Sequence, residues 1–271
     1  MEFLAIVISA AALYLGHAER NIQRDNWFYG LGAFLQGLPF SQTTTRTLTI
    51  LVPVAAVYYL QTNFEGRGFG IPELLLMLLV LLYSLGRNDL NAILMRYRSS
   101  LRNEDMQAAA LAAEGIAEDA PPEDFPQLHT SVEQWTVYRR FEHWFAVVFW
   151  FLLLGPAGAL AYRLVQLTVT KEGLFGNVLA LLDWLPVRIL GLSFALIGDF
   201  VSAMQELQVC FLGSAKADAC VYKLACAALQ FDSGCELSPA EGDSRLGKLV
   251  SLLQRSLVLW IALIAIAQIA F

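Results

Sequence analysis

Long apolar runs alternate with polar stretches along this chain, and the lengths of the runs set the first expectation. A helix needs about 20 mainly apolar residues to cross the roughly 30 Å hydrocarbon core of a bilayer, with about 17 as a lower limit. Six stretches meet or approach that length: Phe3–Gly16, Leu48–Phe64, Phe69–Gly86, His143–Leu167, Val178–Gly198 and Leu249–Phe271. The third is the cleanest, nearly pure Leu from Leu74 to Leu82, and the first is short enough to require little tilt or a thinned bilayer. Glu2 stands where a secretory signal would carry basic residues, so the first stretch reads as a retained helix. Arg255 sits near the start of the last stretch, where it can snorkel to the headgroups.

The polar stretches have patterns of their own. Residues 18–47 read as a linker with Gly30, Gly32, Gly37 and Pro39, and with Trp27, Phe28 and Tyr29 as interface anchors. Leu90, Ile93, Leu94, Tyr97 and Leu101 recur at helical spacing and predict an amphipathic helix. Asp105 reads as the N-cap of the Ala-rich run 106–113. The acidic, proline-bearing stretch 118–126 reads as a linker, and Ser131 with Gln134 predicts a further helix start. The expectation is an all-α polytopic membrane protein with about six membrane segments, some broken or re-entrant, and cytoplasmic helices. Its parts are three N-terminal membrane segments (1–86), a polar helical region (87–142), two Pro-broken segments (143–198), a Cys-containing loop (199–248) and a C-terminal helix (249–271).

Composition strengthens this picture. Apolar residues make up 57% and charged residues 15% of 271, against about 25% charged in a soluble domain, so lipid must cover much of the surface. A net charge of -6 without a basic run excludes a general nucleic-acid binder. Lys and Arg concentrate in loops 17–47, 87–142 and 199–248, whereas the opposite side holds only Arg67 and Lys171; the large loops are therefore expected in the cytoplasm. That assignment depends on 178–198 spanning fully. Cys210, Cys220, Cys226 and Cys235 share one loop. They would be free thiols in the cytoplasm and paired in an oxidising compartment; a zinc site is a sharper alternative, but no CxxC pair is present. No metal or cofactor is expected: His17, His129 and His143 are scattered, and there is no nucleotide loop, HExxH or GxSxG.

Ionisable residues in or beside membrane segments are the candidate site, because each is costly there unless paired or hydrated. Glu19 and Arg20 follow the first segment, where plain interfacial snorkelling also accounts for them. Arg163 ends a run broken at Gly155-Pro156; a kinked packing helix is the alternative there. Asp183, Trp184, Pro186 and Arg188 fall within six residues, followed by Asp199, and the proline makes a continuous helix doubtful. Asp183 and Arg188 are expected to face a polar cavity or to pair with Arg163 or Glu142.

The runs FWFLLLGPAGALAYRL (149–164) and LDWLPVRILGLSFALIG (182–198) resemble the AmpE inner-membrane proteins, as does the opening helix ending in Glu19-Arg20. They also resemble the wider superfamily containing the cobinamide-phosphate synthases. The AmpE likeness implies an inner-membrane signalling protein linked to β-lactamase induction, antibiotic resistance and cell-wall sensing, without catalysis, whose cytoplasmic helices bind a protein partner. The synthase likeness implies a ligase or transferase acting on an anionic small molecule or lipid. Arg163, Trp184, Pro186 and Arg188 match the shared motifs, whereas the stretch before the FW pair keeps only Glu142 of the synthases' acidic run. A small transporter or channel ranks last, since there is no internal repeat.

Overall fold

The computed structural model describes residues 2–14, 24–39, 41–64, 70–85, 89–114, 124–169, 173–213, 216–231 and 238–270. The described residues are helical, with no strand among them. Contacts divide the chain into two units, one of Met1–Arg87 with His143–Leu182 and Phe271, the other of Asn88–Glu142 with Asp183–Ala270.

The first unit holds α1 (Glu2–Tyr14), α2 (Asn26–Gln36), α3 (Gln42–Phe64) and α4 (Ile71–Ser84). It also holds most of the long helix that continues as α8 (Val147–Thr168). α3 and α4 both pack on α8, and α1 packs on α4. Leu81, Phe151, Ala159 and Leu164 are fully buried between them. At 1.5 Å per residue the 23-residue α3 is about 35 Å long, enough to span, whereas the 14-residue α4 reaches only about 21 Å. The sequence marks its limits: Gly70 takes φ 77° just before Pro72, and Leu85 turns to extended backbone. Of the six expected segments, four belong to helices long and apolar enough to cross a membrane, while Glu2–Tyr14 and Ile71–Ser84 are shorter apolar helices. The expected linker 18–47 contains a helix in its own right, α2, with Trp27, Tyr29 and Phe34 exposed and Phe28 buried.

The break expected at Gly155-Pro156 is present. Gly155 adopts φ 68°, ψ −160°, a backbone region essentially reserved for glycine. A Cβ on Gly158 would stand 2.5 Å from the Trp150 carbonyl oxygen. Eight residues of straight helix would separate those levels by about 12 Å along the axis, so the chain bends sharply here. The amino end of α3 (Thr45, Arg46, Thr49) and the carboxy end of α8 (Leu167, Thr168) consequently line one cavity.

The second unit is built from α5 (Asp89–Arg102), α6 (Met106–Glu114), α7 (Phe125–Arg140), the later part of α9 (Leu174–Ile197), α10 (Phe200–Leu212), α11 (Ala217–Ala228) and α12 (Pro239–Ala270). The stripe read from sequence is its core: Leu90, Leu94, Tyr97 and Leu101 pack with Ala109, Ala113, Leu128, Val132 and Leu246. Asp105 caps α6 by accepting the Ala108 N–H at 2.9 Å, as its position predicts. Ser131 starts no helix: α7 begins at Phe125 after Asp124, and the Ser131 hydroxyl donates to the Gln127 carbonyl in mid-helix. Nor does Pro186 break α9, which runs on as helix through it. α11 packs on α7 and α10, and the joint between α9 and α10 is tight, Gly198 pressing on the Ala228 carbonyl, which accepts the Asp199 N–H at 2.8 Å.

Candidate functional site

The second unit centres on a polar cluster made by one helical turn. His129 and Glu133 are four apart on α7, share a face, and are both fully buried. A buried carboxylate is tolerable only when paired and hydrogen-bonded. Glu133 accepts the Tyr222 hydroxyl of α11 at 2.7 Å, and Arg245 of α12 approaches its two oxygens at 3.2 and 3.3 Å. His129 Nε2 lies 3.2 Å from Glu133 Oε1, off the line of a hydrogen bond, and its Nδ1 lies 3.0 Å from the Tyr97 hydroxyl of α5. Three helices thus meet at one carboxylate, and α5 joins them through His129. Gly242 lets α12 sit directly on the imidazole, where a Cβ would stand 3.0 Å from the ring. Burial, with Glu133 adding to it, raises the Tyr97 hydroxyl above its ordinary range. Burial also pushes the Cys226 thiol up to about 11. Phenol and thiol are therefore neutral at physiological pH.

The sequence-predicted residues distribute around this cluster without joining it. Asp183, fully buried, accepts the Tyr138 hydroxyl at 2.8 Å. Glu142 lies in a single π-helical turn (Phe141–Ala146) and pairs with Arg139 at 3.3 Å. Arg188 donates to the carbonyls of Trp184 and Cys210, both at 2.6 Å. Its guanidinium is flanked by the Trp184 and Phe211 rings, with centroids at 4.0 and 4.9 Å. The helix positions Trp184 and Arg188 four apart, so the stack is local to α9 and α10. Asp199 is the N-cap of α10, accepting the Ser202 N–H at 2.7 Å. Hydrogen bonds from Ser202, by side chain and then backbone, hold its carboxyl below the usual range.

In the first unit Arg163 meets Asp25 at 3.6 Å and donates to Gln166 at 3.2 Å, while Tyr83 donates to Asp25 at 3.1 Å. The sequence offered Arg163 as a candidate and Asp25 not at all, because the two are distant along the chain and only the fold makes them neighbours. Glu19 and Arg20 lie outside the described residues. Glu133, Tyr222 and Arg245 were likewise missed; the His129–Glu133 spacing was the one visible signal. Cys210, Cys220 and Cys226 are free thiols, Cys235 lying outside the described residues. Among the described residues no three His, Cys, Asp or Glu side chains gather around a point that could hold a metal.

The arrangement is one of charges answered by neighbouring groups, and such pairing braces helices. No curated protein and no solved structure matches the chain. A family model does, described as regulatory signalling modulator protein AmpE, over residues 19–269. That range includes the Gly155-Pro156 break, α9 and all the polar helices of the second unit, so the chain belongs to the AmpE family of regulatory signalling modulators.

Proposed function

We propose that this protein is an inner-membrane regulator of β-lactamase induction, responding to the state of the cell wall and passing that state to a protein partner without itself performing chemistry. The observation that carries the reading is the family match across residues 19–269. The pairing of Arg163 with Asp25 and of Asp183 with Tyr138 agrees with it, since each ties one helix to another. The ligase alternative gains no support from the comparisons. We place the polar regions 17–47, 87–142 and 199–248 in the cytoplasm, on the excess of Lys and Arg they carry. The packing of α11 on α7 agrees, because it makes residues 217–228 and 125–140 one body. The partner would meet the outer faces of α5 and α6, where Met95 and Leu111 are 72% and 69% exposed.

The test is β-lactamase induction by a β-lactam in a strain lacking the chain. Loss should alter induction, and the full chain should restore it, whereas charged replacements at Met95 and Leu111 should not. Induction identical with and without the chain would remove the regulatory reading. Full restoration by the charged variants would remove the partner surface while leaving the regulatory reading intact.

A further inference from the structure

A cavity of about 290 Å³ opens in the first unit where α2, the start of α3 and the end of α8 converge, lined among others by Phe28, Tyr29, Thr49, Arg46, Leu167 and Thr168. Its chemistry is lopsided. Phe28 and Leu167 supply apolar wall, while the hydroxyls of Thr49 and Thr168 are already donated to carbonyls one turn back on their own helices. Arg46 is half-buried in this wall, and among the described residues no carboxylate or carbonyl answers it. A half-buried guanidinium in such a place is costly unless an anion reaches it.

Below the cavity the same face of α3 continues through Val52, Ala56 and Tyr59, all exposed, at the i+3 and i+4 spacing that follows from Thr49. An anionic head at Arg46 would therefore sit at the top of an apolar track on a helix long enough to span the bilayer. α2, with Trp27, Tyr29 and Phe34 exposed, is suited to the membrane–water interface at that level. We infer that this cavity is a binding site for an anionic phospholipid, its phosphate held by Arg46 and one acyl chain laid along the α3 face.

The full-length protein in neutral detergent, melted with added lipid, tests this. Phosphatidylglycerol should raise Tm by about 5 °C at saturation, and phosphatidylcholine or inorganic phosphate should not. Arg46→Gln should abolish the phosphatidylglycerol shift, and Arg46→Lys should keep part of it. Gly32→Leu, which fills the cavity from α2 and leaves the charge in place, should abolish it too; Gly32 has only Thr49 near it, at 3.8 Å, so the variant keeps its fold. A shift as large with phosphatidylcholine would make the site a general lipid groove, and a full shift with phosphate alone would make it a simple ion site; either overturns the inference. So would no shift, or an undiminished shift in Arg46→Gln and Gly32→Leu together.

Discussion

Single side chains in this protein do their work by answering one another. Glu133 is the clearest: buried completely, it receives Tyr222 and Arg245. Removing one partner of a buried pair costs about 3–5 kcal/mol, because the other charge is left unanswered. Glu133→Gln should therefore lower the stability of the second unit by roughly 3 kcal/mol, read as a lowered midpoint in thermal melting or faster proteolysis of α7 and α12. An unchanged midpoint would show that the carboxylate carries no such role. Asp199 makes a smaller, pH-dependent contribution. Its carboxyl is depressed in the fold by Ser202, so its stabilisation is present above the unfolded value near about 4 and is lost as pH falls through the lower folded value. The stability difference between the wild type and Asp199→Ala should be constant from about pH 5 to 8 and shrink below about pH 4. A difference that persisted at low pH would contradict the capping role. None of these partnerships was readable from the chain. A helical wheel can show that His129 and Glu133 share a face, but nothing in it points to Arg245, 112 residues later.

At the scale of elements, the backbone was legible wherever it obeys local rules. The stripe from Leu90 to Leu101 and the Asp105 cap follow from spacing and from the short side chain that can reach back to an N–H. Gly155-Pro156 announced its break, since glycine alone is comfortable at φ 68° and proline removes the bond that would hold the helix together. Pro186 made the same announcement and the helix continued regardless, because neighbouring packing at Val187 and Leu190, both buried, holds α9 in place. The two prolines differ in the glycine that precedes one of them. Gly155→Ala should consequently destabilise the first unit by about 2 kcal/mol, through backbone strain and through the Gln61 side chain, whose nitrogen lies 2.8 Å from where the new Cβ would stand. Gly176→Ala, with nothing near its Cβ position, should be neutral or slightly stabilising. Equal melting temperatures for the two variants would mean the bend is not fixed by Gly155.

For the whole molecule, composition alone called for lipid, and four long apolar helices meet that demand. The assignment of function came from two motif runs and a family match over residues 19–269. The claim at the centre is that intramembrane charge here is bracing within a signalling protein and not an active site. Asp25 and Arg163 test it most directly, by melting temperature and β-lactamase induction in Asp25→Asn, Arg163→Gln and the double variant. If the pair is a brace, each single variant should lose stability by a few kcal/mol, and the double variant, with no charge left unanswered, should recover most of that stability together with normal induction. If instead Arg163→Gln melts like the wild type yet abolishes induction, and the double variant does the same, Arg163 acts on something outside the fold and the account is wrong.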